Sequence, residues 1–194
     1  AATIVQNCYG HPVKQFLEIN TSNNCFFAYT PDALVMLPGS AIISNTQINL
    51  GKGSVVLFID AFDTYDLGQK GQVFDRIETK TKIFGPEKNL VVLDSFNING
   101  RSFLEPYSPI GLWRTVINCL LLGDLESLPS QEKLEACGTT TNDSIMGVSK
   151  LPNGAGLCVR GLCKNAIAAK LVMDQVFANC ILHLTGHYPE LRRK

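Results

Sequence analysis

Three aspartates are spaced three residues apart after the most apolar run of the first half of the chain. The run is Val55 to Ile59, and the acids are Asp60, Asp63 and Asp66. Carboxylates that emerge from a buried strand can line a polar cavity and attract a divalent cation, since sites tend to form at strand ends and loops. They can equally be turn residues. A spacing of three places neighbours on opposite faces of a strand, so spacing alone does not bring them together.

The cysteines and histidines offer other candidate sites. Cys158 and Cys163 are five residues apart, which on a strand puts them on opposite faces, so core packing explains them better than a shared metal ion. His183 and His187 would share one face of a helix and could bind nickel or zinc. Gly186 is expected to end the helix between them, which leaves two solvent-facing imidazoles as the alternative.

Two glycine-rich segments lack the setting of nucleotide-binding loops. Gly51-Lys52-Gly53-Ser54 has suitable residue types but no preceding glycine and no strand-to-helix context, so the pattern predicts a hairpin turn. Gly154-Ala155-Gly156 precedes a predicted strand, where a dinucleotide-binding motif requires a helix. Neither segment is therefore predicted to bind a nucleotide.

Composition sets the broad class of the protein. The 194 residues, 45% hydrophobic and 18% charged, indicate one globular domain over residues 1–194. Lys+Arg and Asp+Glu both number 17, so no basic excess favours nucleic acid. No apolar run approaches the length of a bilayer span, and no membrane association is expected. Seven scattered cysteines suggest reduced thiols, which predicts a cytoplasmic protein.

The elements that must position these residues are predicted to be mainly β-strands. Strand, tight turn and strand recur after Ile19, Ile48 and Ile83, which suits either stacked solenoid-like layers or a meander of hairpins. Ser130 and Asn165 are predicted to cap a short helix and a long one, the latter from Ala166 to Leu184. The predicted strands are Val13 to Asn20, Cys25 to Tyr29, Ala33 to Leu37, Ser44 to Leu50, Ser54 to Asp60, Val73 to Phe84, Leu90 to Ile98, Trp113 to Leu122 and Leu157 to Lys164.

We therefore predict a mainly β fold of about ten strands, arranged as a layered β superhelix or solenoid-like sheets. About two α-helices are expected, with the longer near the C-terminus.

Ordered blocks of this sequence resemble the urease accessory protein D family, called H in some bacteria. The first block is Pro31-Asp32-Ala33-Leu34-Val35-Met36-Leu37-Pro38-Gly39-Ser40, and an alternating strand, a glycine turn and the run ending at Asp60 follow it. The resemblance continues through Phe74 and Arg76, Val116 to Leu122, and Leu157 to Leu162. The family's usual N-terminal portion, with its glycine-rich segment, is absent, and Thr64-Tyr65-Asp66 and Lys70-Gly71-Gln72 replace its Gly-Arg and Gly-Glu pairs.

The resemblance implies a function and a set of partners. It implies a β-rich scaffold that is not an enzyme, binds the accessory proteins F and G (a GTPase), docks on apo-urease and helps to deliver nickel. A homodimer within that complex is possible. Nickel would pass transiently along a polar route, with no cofactor held tightly. By position Asp60 matches the family's acidic residue, and Asp63 lies nearby as a second candidate on the nickel path.

Two other functions remain open from the sequence. A β-solenoid interaction module unrelated to nickel would show regular coils without an internal polar channel. A Cys/His-dependent hydrolase would need a reactive thiol near His11 or His183.

Overall fold

A computed structural model describes residues 3–7, 9–66, 68–105, 107–140 and 142–190. Eleven strands and two α-helices lie in these ranges. The strands are β1 Ile4–Val5, β2 Val13–Asn20, β3 Phe26–Tyr29, β4 Leu34–Met36, β5 Ala41–Asn49, β6 Val55–Thr64, β7 Arg76–Phe84, β8 Leu90–Asn99, β9 Thr115–Leu122, β10 Ser144–Lys150 and β11 Gly156–Cys163. The helices are α1 Gln131–Glu135 and α2 Ala166–Thr185. The prediction of a mainly β fold whose longer helix lies near the C-terminus is confirmed.

The strands form two sheets that pack face to face. The larger sheet has the order β1-β4-β6-β9-β11-β10. β3 also pairs with β6, along its first residues, whereas β4 pairs with its last residues. The smaller sheet has the order β2-β5-β7-β8. In the first half of the chain successive strands alternate between the sheets and pair in parallel, β2 with β5 and β5 with β7 on one side, β3 and β4 with β6 on the other. This alternation makes the coils of a layered superhelix.

The turn between β5 and β6 shows how the coils stack. Gly51-Lys52-Gly53-Ser54 joins strands of different sheets, so the predicted hairpin is wrong. Its backbone amides donate hydrogen bonds to side chains of the preceding coil. The Gly51 N–H donates to Thr21 Oγ1 and the Lys52 N–H to Asn23 Oδ1, each at 2.9 Å. A Cβ on Gly51 would lie 2.4 Å from the carbonyl oxygen of Ser22, so the stacking requires glycine.

Both interpretations of the recurring strand-turn-strand unit hold for part of the chain. The units after Ile19 and Ile48 cross from one sheet to the other, as superhelix coils do. The unit after Ile83 is a hairpin, because β7 and β8 are antiparallel neighbours in one sheet. The two arrangements have the same local signature of apolar runs and turn residues, and differ only in which distant strand each run pairs with.

Three apolar clusters hold the layers together. The first inter-sheet cluster includes Ile48, Leu120 and Leu122, and the second, towards the other end of the strands, includes Ile77 and Phe62. A third cluster lies on the opposite face of the larger sheet, beneath α2. The larger sheet is therefore buried on both faces, which accounts for the mostly apolar sequences of β6 and β9.

Helix α2 covers the outer face of the larger sheet. Asn165 caps it through Oδ1, which accepts from the Ala168 N–H at 2.9 Å, and Gly186 ends it with a φ of 73°. Contrary to the expectation from sequence, its length and composition would suffice for a membrane span. Val172 and Val176 are buried against the sheet, however, so core packing accounts for one apolar face of the helix, while Ile167 and Leu171 are exposed.

The sequence did not predict strands β1 and β10. No strand was predicted between Leu122 and Leu157, but the chain enters β10 at Ser144. β10 is an edge strand paired only with β11 in the described part of the chain, and Gly147 interrupts its apolar alternation. Ile145 is 51% exposed, so the strand carries little of the apolar signal that marks a core strand.

The inter-sheet core predicts a large difference between two leucines. Leu120→Ala removes a fully buried side chain between the sheets and should lower the free energy of unfolding by about 2–5 kcal/mol. Leu93→Ala, on the outer face of β8 and 53% exposed, should change it by less than about 0.5 kcal/mol. Urea denaturation followed by circular dichroism measures both values, and equal losses would contradict the layered arrangement.

Candidate functional site

The aspartates of the candidate site lie within a strand rather than after it. The sequence predicted that the strand ends at Asp60, but β6 continues to Thr64 and includes Asp63. The prediction failed because acidic side chains usually mark the end of a buried strand. Here the carboxylates of Asp60 and Asp63 lie on opposite faces of the sheet, and each has a different environment.

Asp60 faces the space between the sheets. Val56, Phe58 and Phe62 have the same parity on β6, and all three belong to the inter-sheet clusters. Asp63 has the other parity and is buried beside Thr115, whose Oγ1 donates to Asp63 Oδ1 at 2.6 Å. Burial raises the pKa of Asp63, while Thr115 and Arg114 act to lower it. The structure therefore does not bring Asp60 and Asp63 together.

Asp66 lies beyond β6 in an exposed turn. Its carboxylate accepts the Gln72 N–H at 3.0 Å and the Gly68 N–H at 3.2 Å. These backbone hydrogen bonds, that from Gln72 foremost, lower the pKa of Asp66. The turn interpretation of the three acids is thus correct for Asp66, and the cavity interpretation fits Asp60.

Asp60 belongs to a band of polar side chains across the middle of the sandwich. Strand register places Asp60, Asn118 and Arg160 side by side on the larger sheet. It likewise places polar residues in a row on the smaller sheet, where Thr46 and Thr81 are buried. We call this band the polar layer, and it separates the two inter-sheet clusters. Its members are Asp60, Asn118, Arg160, Thr46, Thr81 and Asp94.

A cavity of about 160 Å³ opens beside Asp60 within the polar layer. Thr46 and Thr79 line it from the smaller sheet, and exposed Gln15 lies at its rim on β2. Asp32 also lines it, because segment 30–33 interrupts the strand line between β3 and β4 next to Asp60. The first block of the family resemblance thus lies at the cavity that holds Asp60.

Asp60 is electrostatically unusual. No described residue donates a hydrogen bond to its carboxylate, which is half-buried and faces the cavity. Burial, and secondarily the nearby Asp94 carboxylate, raises the pKa of Asp60 to about 6. Near neutral pH the group therefore stays largely ionised at a cost in stability, which makes it a strong attractor for a cation that enters the cavity.

A second cavity, of about 480 Å³, lies at the other edge of the sandwich. Arg160 and Ile145 line it, and both are exposed. The two cavities share wall residues, among them Phe96 and Asn118. The polar layer therefore leads from one edge of the sandwich, near β2, to the other, near β10.

Asn118, Asp94 and Arg160 are functional candidates that the sequence interpretation missed. Asn118 Nδ2 donates to Asp94 Oδ2 at 3.3 Å, and Arg160 forms an ion pair with Asp94. Asn118 is 7% exposed. One signal was available, since Asn118 is the single amide within the apolar run of β9. The pairing of Asp94 with Arg160 depends on contacts 66 residues apart and had no local signature.

The cysteines and histidines lie where the spacing predicted. Cys158 belongs to an inter-sheet cluster and Cys163 to the cluster beneath α2, on the opposite face. Gly186 ends the helix between His183 and His187, and both imidazoles are exposed. Within the described ranges, no group of three or more His, Cys, Asp or Glu side chains is arranged to hold a metal ion.

Comparison with known proteins finds similarity to one family over the whole chain. The model of the UreD urease accessory protein family matches residues 1–194. Urease accessory protein UreD 1 of Methylorubrum extorquens (strain PA1) is 31% identical over 199 residues, covering 100% of this chain and 66% of the relative. UreD 1 of Methylorubrum populi is 29% identical with the same coverage. UreD 3 of Bradyrhizobium sp. (strain ORS 278) is 25% identical, covering 100% of this chain and 68% of the relative. The chain spans about two thirds of the length of these curated relatives.

The raised pKa of Asp60 predicts how stability depends on pH. Because the folded-state pKa of about 6 exceeds the reference value of 3.8, the folded protein binds the proton more tightly than the unfolded chain. The contribution to stability is therefore complete below pH 3.8 and is lost as the pH rises through 6. Asp60→Asn cannot ionise, so at pH 7.5 its free energy of unfolding should exceed that of wild type by about 2 kcal/mol, with no gain at pH 4.

Glu78→Gln, on the outer face of β7, is the control and should change stability by less than about 0.5 kcal/mol at both pH values. Urea titrations at the two pH values give the result. An Asp60→Asn variant that is less stable than wild type at pH 7.5 would show that the carboxylate is stabilised in its cavity.

Proposed function

The chain belongs to the UreD urease accessory protein family, and on that premise we propose that it is a non-catalytic scaffold that passes nickel towards urease. In this proposal nickel moves along the polar layer, and Asp60 is its principal ligand in transit. The observation that carries the proposal is the Asp60 carboxylate, which faces an interior cavity without a hydrogen-bond donor among the described residues. A stable fold has no need of such a group, because an apolar side chain would fill the position better.

The ligand chemistry of the polar layer suits transfer better than storage. Its side chains offer carboxylate, amide and hydroxyl oxygens, which are weaker ligands for nickel than thiolate or imidazole. Among the described cysteines, Cys158 is the one whose thiol is hydrogen-bonded to the layer, since its Sγ donates to Asn118 Oδ1 at 3.7 Å, and burial raises its pKa. It therefore stays protonated and does not compete as a thiolate ligand. Nickel held by oxygen atoms alone can leave again.

We further propose that the partners are those of urease maturation. These are the accessory proteins F and G, the latter a GTPase, together with apo-urease, in the cytoplasm. Family membership supports protein partners of this kind. The six described cysteines are all free thiols, which is consistent with a reducing compartment. The two cavities reach opposite edges of the sandwich, so a donor and an acceptor protein could each face one end of the polar layer.

The alternatives are less well supported by the structure. A solenoid module unrelated to nickel gives no reason for a carboxylate in an inter-sheet cavity. A cysteine hydrolase needs a thiol with a lowered pKa, but burial raises the pKa of five of the six described thiols. It brings the pKa of Cys163 to about 11 and, with Cys137 nearby, that of Cys180 to about 12. The five thiols are Cys119, Cys137, Cys158, Cys163 and Cys180.

Substitution of Asp60 tests the nickel route. In cells that express urease and its other accessory proteins, Asp60→Asn should lower urease activity and the nickel content of purified urease at least about tenfold, because a neutral amide attracts the cation far less. Glu78→Gln should leave both unchanged. Wild-type activation by a folded Asp60→Asn variant would remove Asp60 from the route.

Association with the F-type partner tests the scaffold role separately. A tagged form of this protein should co-purify with the F protein, and Asp60→Asn should co-purify equally well because Asp60 is interior. Size-exclusion chromatography with light scattering would report the complex and whether it contains two copies of each chain. Failure of the wild-type proteins to associate at micromolar concentration would contradict the proposed partner.

A further inference from the structure

Asp94 is the second interior carboxylate of the polar layer, and Arg160 balances its charge. The Arg160 guanidinium is the only cationic group that forms an ion pair with Asp94 in the described part of the chain. Asn118 donates to the other carboxylate oxygen of Asp94, and Asn118 lies opposite Asp60 in strand register. Asp60, Asn118 and Asp94 thus form a continuous line of oxygen-bearing side chains that ends at Arg160.

The two members of the ion pair differ in their freedom to move. The Asp94 side chain is 14% exposed, so it is fixed within the sandwich. The Arg160 side chain is 62% exposed and lines the outer cavity, so its guanidinium can swing into solvent without unfolding a strand. The pair can therefore open from one side only, by departure of the cationic group.

We propose that Asp60, Asp94 and Asn118 form a divalent-cation site inside the sandwich, and that Arg160 closes it by supplying the positive charge that an arriving cation replaces. This inference rests on the proposed nickel transfer and adds a second carboxylate and a gate to it. A divalent cation between two carboxylates balances the charge once the guanidinium has left. Arg160 competes with the cation for Asp94, so the site holds nickel weakly and releases it when the arginine returns.

Charge substitutions at Arg160 and nickel titration test the site. Isothermal titration of wild-type protein with NiCl₂ at pH 7.5 gives the reference affinity. Arg160→Met removes the charge and keeps an apolar stem, so the affinity for nickel should rise about tenfold or more. Arg160→Lys keeps the charge and should bind nickel as wild type does. Adding Asp94→Asn to Arg160→Met should abolish the gain.

A matched surface variant excludes a general charge effect. Lys80→Met removes a cation from the exposed outer face of β7 and should leave nickel affinity unchanged. An equal gain in Lys80→Met, or no gain in folded Arg160→Met, would overturn the proposal. If Arg160→Met does not fold by circular dichroism, Asp94→Asn alone decides: it should weaken nickel binding at least several-fold, and unchanged affinity would overturn the site.

The outcomes separate this inference from the proposed function. Loss of urease activation in Asp60→Asn together with no effect of Arg160 or Asp94 substitutions on nickel affinity would keep the nickel route and reject the gate. Higher nickel affinity in Arg160→Met together with normal activation by Asp60→Asn would keep the site and reject its role in urease maturation.

Discussion

The polar layer between two apolar clusters is the constraint on which this structure depends. Carboxylates inside a β-sandwich lose their hydration, and the fold must offset that loss by packing elsewhere. Apolar packing on both sides of the layer provides this compensation, since one inter-sheet cluster lies on each side of it along the strands. A third cluster beneath α2 holds the larger sheet from its other face. The interior polar side chains can therefore remain where a fully apolar core would be more stable.

The superhelical part of the fold gives the layer its continuity. In-register parallel pairing places corresponding residues of successive coils side by side, so the polar residues of neighbouring strands form a row. The interruption around Asp32, between β3 and β4, leaves room beside Asp60 where a continuous strand would have closed the cavity. Antiparallel strands β8, β9 and β11 then extend the line to Asp94, Asn118 and Arg160. Coil stacking and the later hairpins thus contribute different halves of one interior feature.

Much of the fold could be predicted from the sequence, because periodicity and turn residues report burial directly. In the sequence, Ile77, Thr79, Thr81 and Ile83 alternate with polar residues, and they form the inner face of β7. Ala169, Val172 and Val176 recur at helical spacing, and they are buried on one face of α2. Pairing partners could not be predicted, so the β5–β6 crossing was mistaken for a hairpin. Asp60 could be identified as a candidate, whereas Asp94 and Arg160 could not, since only the packing of the two sheets brings them to Asn118.

Paramagnetic broadening of NMR signals tests most directly whether nickel enters the polar layer. In ¹⁵N-labelled protein titrated with NiCl₂, the side-chain amide of Asn118 should broaden before that of Asn20 on the exposed surface of β2 and before the signals of His183 and His187. Broadening that starts at the histidines and leaves Asn118 sharp at saturating nickel would show that the cation stays on the surface, and would contradict an interior route.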